Sequence, residues 1–153
     1  MANAAISIRP ASPSDVPTIA DFNRALCRET EHRELDPAIV LEGVTRFVTE
    51  RTRGRYFVAV LDGEVVGQTA HTHEWSDWRN GEIWWIQSVY VRPDMRGRGV
   101  FRSLFEHIRK LGQADPVCCG IRLYMERDNH AARRSYAKLG LEETGYEVLE
   151  TMF

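Results

Sequence analysis

A glycine- and arginine-rich loop, RPDMRGRGVF at residues 92–101, has residue types and spacing that could bind an anionic ligand. It follows an apolar, β-rich run and precedes a helical pattern, so it would join a strand to a helix N-terminus. Amide N–H groups lack intrahelical partners at such an end, and the helix dipole favours negative charge there. Glycine lets the backbone approach a ligand closely, and Arg96, Arg98 and Arg102 can add positive charge. The loop indicates an anion site; a tight turn with solvated arginines is the alternative.

Two well-known phosphate loops do not match this segment. No GxxxxGK[ST] pattern is present, and residues 97–102, GRGVFR, lack the third glycine of GxGxxG. Phe101 stands where many such loops carry a small residue. Because anion binding uses backbone N–H groups and phenylalanine keeps its own, we expect the Phe101 ring to turn towards Phe105 in the core and its amide to face the anion.

A second segment, NHAARRSYAKLGL at residues 129–141, makes the pattern specific. Together, residues 88–101 and 129–141 resemble two motifs of the GCN5-related N-acetyltransferase (GNAT) superfamily. The first motif is a V-x-V strand end followed by R-x-x-G-x-[G/A], and the second is N-x-x-A-x-x-x-Y-x-K-x-G-[F/L]. The predicted element order is similar along nearly the whole chain. Phe101, at the last small position of the first motif, departs from the family pattern.

The resemblance implies acetyl-CoA as cosubstrate and assigns residues to it. Main-chain groups of a V-x-V strand would pair with the pantetheine arm, amides of the loop would hold the pyrophosphate, an asparagine side chain would contact the arm, and a tyrosine would stand near the sulfur. The implied cofactor-binding residues are Val89, Tyr90, Val91, Arg96, Gly97, Arg98, Gly99, Val100, Phe101, Arg102, Asn129 and Tyr136.

The chemistry of acetyl transfer agrees with those roles. The reaction needs a neutral amine, a polarised thioester carbonyl and a proton for the leaving thiolate. The backbone N–H near Val89 could polarise the carbonyl, and the Tyr136 hydroxyl could supply the proton as general acid. The alternative for Tyr136 is a buried helix tyrosine that bonds a carbonyl.

The proton acceptor is less defined by the sequence. Some relatives carry a glutamate at the position of Gln87, and a glutamine amide is not a useful base. Glu82 and His73 are the candidates we retain as catalytic residues, beside His71 and Glu74, which lie nearby in the sequence. The alternative is that they face solvent or satisfy neighbours, and a water relay or an amine that arrives neutral needs no base.

Candidates for contact with the acceptor come from two stretches. Four tryptophans cluster around the turn at residues 76–81, where they could form an aromatic wall or pack in the core. Residues 27–36, CRETEHRELD, are acidic and join the first two helices, so they could attract a basic amine or simply be solvated. The substrate-binding candidates are Glu31, Trp75, Trp85 and Gln87.

The elements that position these residues follow from hydrophobic periodicity and turn signals. Strand 6–11 precedes helices that start near Ser12 and Asp36, and Asp62-Gly63 joins the strands of a hairpin. Strand 82–91 completes a three-strand antiparallel meander. A helix over 100–111, ended by Gly112, leads to a parallel strand at 118–126. A short helix and a last strand, YEVLETMF at 146–153, give the order β-α-α-β-β-β-α-β-α-β, an α/β fold with a mixed, mostly antiparallel central sheet and flanking helices.

The bulk composition bounds the functional classes. The chain has 153 residues, 43% of them apolar and 27% charged, with a net charge of −2, which predicts one globular domain over residues 1–153 with a core from about residue 6. That charge gives no argument for nucleic acid or a membrane surface, and no apolar run is long enough to span a bilayer. The three cysteines suit no disulfide framework or metal site, so we expect a cytoplasmic protein without a metal.

The resemblance to the GNAT superfamily thus implies an acetyl-CoA-dependent N-acetyltransferase, and we expect it to act on the primary amine of a small molecule by direct attack on the thioester. The alternatives are a protein or peptide N-acetyltransferase and a non-catalytic CoA-binding regulatory module, which the glutamine at position 87 would suit. Relatives in the superfamily are often dimers, so the resemblance also implies a homodimer.

Overall fold

A computed structural model describes residues 5–153 as a five-stranded sheet in the order β1-β2-β3-β4-β5, with helices on both faces. This is the mixed α/β fold that the sequence predicts. The elements are β1 Ser7–Pro10, α1 Val16–Glu31, α2 Pro37–Thr49, β2 Arg55–Leu61, β3 Glu64–Ser76, β4 Gly81–Val91, α3 Val100–Ala114, β5 Cys118–Leu123 and α4 His130–Lys138.

Strands β1 to β4 pair antiparallel, and β5 pairs parallel to β4 after the crossover through α3. The predicted meander is confirmed by its turns. Asp62 and Gly63 have φ values of 50° and 81° between β2 and β3, and Asn80 has a φ of 49° just before β4. Positive φ at these positions is the geometry that Asp-Gly and Asn-Gly turns favour.

Side chains alternate across the sheet, so each face has its own core. Phe57 and Trp84 face α3, where they pack with Leu104 and Ile108. Tyr56 and Val58 face α1 and α2 on the opposite side. The core members there are Val16, Ile19, Ala20, Val44, Tyr56, Val58 and Ala70.

The helices begin close to the predicted caps. The Asp36 carboxylate accepts hydrogen bonds from the amides of Ala38 and Ile39, at 2.8 and 3.1 Å, and Pro37 opens α2. Before α1, a short 3-10 turn over Pro13–Asp15 follows Ser12, so the regular helix starts at Val16.

Two predicted features are absent from the described part of the chain. Residues 146–153 form no strand, and the predicted last β in the element order is therefore wrong. Their apolar side chains lie exposed, since neither face of the sheet covers them. Gly112 does not end α3, which continues to Ala114. A Cβ at this glycine would lie 3.1 Å from Cys118 Sγ, so the residue serves close packing.

An irregularity in β4 shapes the edge of the sheet where β4 ends. The β3–β4 register shifts between Gln68 and Ala70, and Ser88 opposite this shift has a φ of 53°. Pairing of β4 with β5 ends at Ile86 and Leu123. From residue 87 onward β4 therefore has no β5 neighbour, and the two strands leave a gap between them. No helix in residues 5–153 is long and apolar enough to cross a bilayer.

Candidate active site

A cavity of about 1150 Å³ opens at this gap, between the end of β4, the glycine loop and helices α1, α2 and α4. It brings together most of the residues that the sequence assigns to a site. Those that line it are Glu31, Gln87, Val89, Tyr90, Val91, Arg96, Gly97, Gly99, Val100, Phe101, Arg102, Asn129 and Tyr136.

The glycine loop forms the start of α3. Gly97 and Gly99 have φ values of 74° and 82°, which L-residues rarely adopt, and a Cβ at either would meet no atom within 4 Å. The first intrahelical bond runs from the Ser103 amide to the Gly99 carbonyl, at 3.0 Å. The amides of Val100 to Arg102 precede this bond and belong to the unpartnered first turn. The loop therefore offers open space beside free N–H groups, which suits an anion.

The three arginines of the loop differ in what they contact. Arg96 donates to the Val91 carbonyl at 2.9 Å and pairs with Glu29 of α1 at 2.7 Å. Arg102 lines the cavity, whereas Arg98 does not and donates to Met95 Sδ at 3.4 Å. Only Arg96 and Arg102 thus reach the cavity among the arginines assigned to the cofactor.

Phe101 joins the cavity to the core. Its ring packs against Phe105, with centroids 6.0 Å apart, and meets the edge of Tyr136 at 5.5 Å. Other apolar side chains of the α3 face complete its surroundings. The ring lies on the core side, as the sequence predicts, while the residue still borders the cavity.

Tyr136 and Asn129 reach the cavity from α4. Burial raises the pKa of the Tyr136 phenol above its ordinary value, so the hydroxyl keeps its proton at neutral pH. Asn129 precedes α4, and its Oδ1 accepts from the Ala132 amide at 3.0 Å. Its side-chain NH₂ remains available as a donor.

The candidate bases Glu82 and His73 lie elsewhere. The His73 ring nitrogen Nδ1 lies 3.4 Å from the Glu82 carboxylate near the start of β4, and neither residue lines the cavity. Because a strand rises about 3.3 Å per residue, Glu82 is well over 10 Å along β4 from Gln87. The structure does not bring these two side chains to the cofactor residues, and it places Glu74 with Arg122 instead, at 2.8 Å.

His71 shares a face with His73, as the sequence predicts, but packs in the α3-side core. Its ring stacks on Trp84 with centroids 4.1 Å apart, and it is 1% exposed. Burial, followed by the neighbouring His73 and Arg55, lowers the pKa of His71 to about 3. The ring is therefore neutral at physiological pH.

Of the four residues predicted to contact the acceptor, two line the cavity and two do not. Trp75 is 58% exposed and Trp85 packs on Tyr124, with centroids 4.5 Å apart; neither lines the cavity. Gln87 does line it and donates to the Thr72 hydroxyl. Glu31 lines it too, but is paired with Arg33 at 3.0 Å. Within residues 5–153, no cluster of three or more His, Cys, Asp or Glu side chains could hold a metal ion.

A buried polar network on the α1 side of the cavity escaped the sequence prediction. Gln68 Nε2 donates to Asn23 Oδ1 at 2.8 Å and to the Ser88 carbonyl at 3.3 Å, and Asn23 Nδ2 donates to the Tyr56 hydroxyl at 3.0 Å. Asn23, Tyr56 and Ser88 line the cavity. The one available signal was Gln68 itself, a glutamine inside an otherwise apolar strand.

Comparison with known proteins agrees with this geometry. A model of the Acetyltransferase (GNAT) family matches residues 18–141. A possible acetyltransferase from Clostridium difficile 630 has 40% identity and a TM-score of 0.90, over 97% of each chain. A predicted acetyltransferase of Clostridium acetobutylicum, solved with acetyl-CoA, has 14% identity and a TM-score of 0.78 over 96% of each chain, and so shares the fold.

A curated relative is the uncharacterised N-acetyltransferase of Methanocaldococcus jannaschii, which is 29% identical over 103 residues. The match covers 64% of the present chain and 43% of that protein, so the chain corresponds to less than half of the relative's length.

Proposed function

The chain belongs to the Acetyltransferase (GNAT) family, and from that premise we propose that it is an N-acetyltransferase that moves the acetyl group of acetyl-CoA to the primary amine of a small molecule. The observation that carries the proposal is one continuous cavity. It joins the free amides of the glycine loop to the end of β4, where β5 no longer pairs with it, and to Tyr136.

The residues present fit acetyl-CoA. The amides of Val100 to Arg102 would hold the pyrophosphate beside Arg102, and main-chain groups of β4 at Val89 and Val91 would pair with the amides of the pantetheine arm. The gap between β4 and β5 supports this, since an extended arm fits where β5 has ended. The free NH₂ of Asn129 would bond the arm from α4.

Acetyl-CoA would supply a thioester whose carbonyl carbon accepts the amine. The amine nitrogen forms the C–N bond with its lone pair, the C–S bond breaks, and the thiolate leaves with the bonding electrons. The Val89 amide, near the Ser88 bulge, would polarise the carbonyl oxygen. Tyr136 would donate its proton to the thiolate, and the proton lost by the amine would pass to solvent and restore the phenol.

Tyr136 meets one requirement of a general acid, since its phenol is protonated at neutral pH before the thiolate forms. Burial raises its pKa further above the ordinary value. A neutral amine reaching the cavity, or a water that takes its proton, would remove the need for a base residue, which agrees with Glu82 and His73 lying outside.

Apolar side chains beside the Tyr136 end of the cavity support a small-molecule acceptor. Helices α1 and α2 wall this part of the cavity, with Leu26, Val40 and Phe47 among its lining residues. The amine of a small molecule can be covered by these apolar side chains. A peptide acceptor is the outcome that the test below must distinguish.

The test follows thiol release from acetyl-CoA with a panel of alkylamines, amino alcohols, amino-acid amides, polyamines and peptides. Calorimetry measures acetyl-CoA binding separately. Cys27, Cys118 and Cys119 are free thiols, so each reading is taken against protein with acetyl-CoA and no amine. We expect amine-dependent release with a small amine. Binding without release for every amine would instead indicate a regulatory module, and release with peptides alone would indicate a peptide acetyltransferase.

A further inference from the structure

The network of Gln68, Asn23 and Tyr56 fixes the direction of one hydroxyl proton. Gln68 is 0% exposed and lies between the Asn23 side chain and the Ser88 carbonyl. A backbone carbonyl can only accept, so the Gln68 NH₂ group, and not its oxygen, must face Ser88. The same NH₂ group faces Asn23, which must therefore present its oxygen to Gln68.

Asn23 then presents its own NH₂ group to Tyr56, at 3.0 Å. The phenolic oxygen accepts this bond, so the Tyr56 O–H is left to donate elsewhere. The Ser88 hydroxyl is the other described side chain that hydrogen-bonds this phenol, and a hydroxyl can donate to the phenolic oxygen, which leaves the Tyr56 O–H directed to the cavity. Tyr56 is 6% exposed and its exposed part borders the cavity.

Gln68 holds this arrangement at a cost. Its Oε1 is buried and has no hydrogen-bond partner in the described chain. An unpaired buried oxygen destabilises a fold, and such exceptions concentrate where function constrains the structure. Gln68 also bonds the carbonyl of Ser88, the bulge residue next to Val89. One glutamine thus orients both the bulge and the tyrosine.

The carboxylates near the cavity compete little for the hydrogen bond that the Tyr56 O–H donates. The two acidic residues that α1 brings to the cavity are paired, Glu29 with Arg96 at 2.7 Å and Glu31 with Arg33 at 3.0 Å. Desolvation, the largest effect, raises the pKa of Tyr56, while hydrogen bonds from Asn23 and Ser88 oppose the rise. The phenol therefore remains a neutral donor at physiological pH.

We propose that Tyr56 determines acceptor specificity: its O–H, oriented by Gln68 and Asn23, donates to an oxygen that the acceptor carries close to its amine, such as an amide carbonyl or a hydroxyl. The proposal rests on the proposed acetyltransferase function and names its substrate class. A donor cannot usefully bond the lone pair of the attacking amine, because that pair forms the C–N bond. Its partner is therefore a second group on the acceptor.

The test pairs oxygen-bearing amines with alkylamines of matched length, for example glycinamide with isobutylamine. For each amine, kcat/KM is compared between the unaltered protein and Tyr56→Phe, so differences in amine basicity cancel. We expect Tyr56→Phe to lose roughly ten-fold with oxygen-bearing amines and less than about two-fold with alkylamines. Phenylalanine keeps the ring contact with Phe47, at 4.9 Å between centroids.

Asn23→Asp is the sharper variant because it is nearly isosteric. An aspartate would accept from both Gln68 and the Tyr56 hydroxyl, which turns the tyrosine proton away from the cavity. The same selective loss is expected, although Tyr56 remains present. Tyr146→Phe, at an exposed tyrosine outside the cavity, is the matched control. Calorimetry should give unchanged acetyl-CoA affinity for all three variants.

Each outcome decides between defined alternatives. An equal loss for both amine classes, or no loss for either, overturns the proposal, as does an unaltered protein that turns over only alkylamines. Thermal unfolding identifies a variant that loses activity because it does not fold. If either Asn23→Asp or Tyr56→Phe fails in this way, the other variant provides the test. If the unaltered protein releases no thiol with any amine, the acetyltransferase function fails first, and this assignment with it.

Discussion

The sheet has a polar cluster on each of its faces, and the two clusters differ in what surrounds them. Towards α1, Gln68, Tyr56 and Asn23 meet at the cavity beside the Ser88 bulge. Towards α3, His71 and His73 stack with Trp84 and do not line the cavity. The residue types alone would favour the histidines as the chemical site.

Access to the cavity and the orientation of the hydrogen-bonding groups distinguish the two clusters more than their residue types do. His71 is closed in by Phe57 and Trp84, and its Nε2 has no partner among the described residues. Tyr56 is almost as buried, but it borders the cavity. The bulge in β4 at Ser88 borders the same cavity and moves backbone and side chains out of register with β3.

The largest effect is expected on the cavity side, at Tyr136. Tyr136→Phe should lower kcat roughly 10- to 1,000-fold and leave acetyl-CoA affinity nearly unchanged, because only the proton donor is lost. Single-turnover kinetics and calorimetry measure the two quantities. A smaller loss is expected if thiolate departure is not rate-limiting. An unaffected rate would remove Tyr136 from the mechanism.

Phe101 tests the border between the cavity and the α3-side core. Its ring packs on Phe105 and Tyr136 while its amide belongs to the free first turn of α3. Phe101→Gly should lower the free energy of unfolding by about 2 kcal/mol, through lost packing and lower helix propensity. Acetyl-CoA affinity should change less, because the amide remains. A large gain in affinity without loss of stability would place the ring on the cavity side.

His71 tests the closed cluster through the pH dependence of stability. Its pKa is about 3 in the folded chain and near 6.5 when exposed, so the unfolded state takes up a proton first as pH falls. The stability that the neutral ring contributes is present above about pH 6.5 and is lost progressively towards pH 3, with a slope of up to about 1.4 kcal/mol per pH unit.

The matched variant is His71→Phe, which keeps an aromatic ring beside Trp84 and removes the titrating group. Denaturant unfolding at several pH values should show a shallower fall below pH 6.5 and little loss at pH 7.5, where the unpartnered Nε2 is removed as well. An unchanged slope would assign the acid sensitivity to other groups.

The same contrast explains how much could be predicted from the sequence. Hydrophobic period and turn residues predicted nine of the elements, because these signals are local; Asp36-Pro37 and Asp62-Gly63 mark their turns and caps directly. Residues 146–153 have the composition of a strand, but a strand also needs a partner edge, which composition does not report.

The residues of the site were predictable where they form contiguous motifs and were missed where they come from separate elements. The glycine loop, Asn129 and Tyr136 form contiguous motifs, and the structure brings them to one cavity. The network of Gln68, Asn23 and Tyr56 joins three separate elements through a bulge, and the positive φ of Ser88 has no local sequence cause. Glu82 and His73 have suitable chemistry for a base. They lie near the start of β4, however, and the cavity is at its other end.

The smallest effect is expected at Glu82. Because its carboxylate pairs with His73 outside the cavity, Glu82→Gln should change kcat/KM by less than about two-fold at neutral pH. The pH profile of kcat/KM should keep its shape, since no proton from the reacting amine reaches this carboxylate. Glu74→Gln, which removes the neighbouring carboxylate paired with Arg122, controls for a change in surface charge. A ten-fold loss confined to Glu82→Gln, with the acidic limb of the profile removed, would make Glu82 the base, acting over a distance that requires a chain of waters. Exposure to the cavity would then no longer distinguish catalytic from structural polar residues in this sheet.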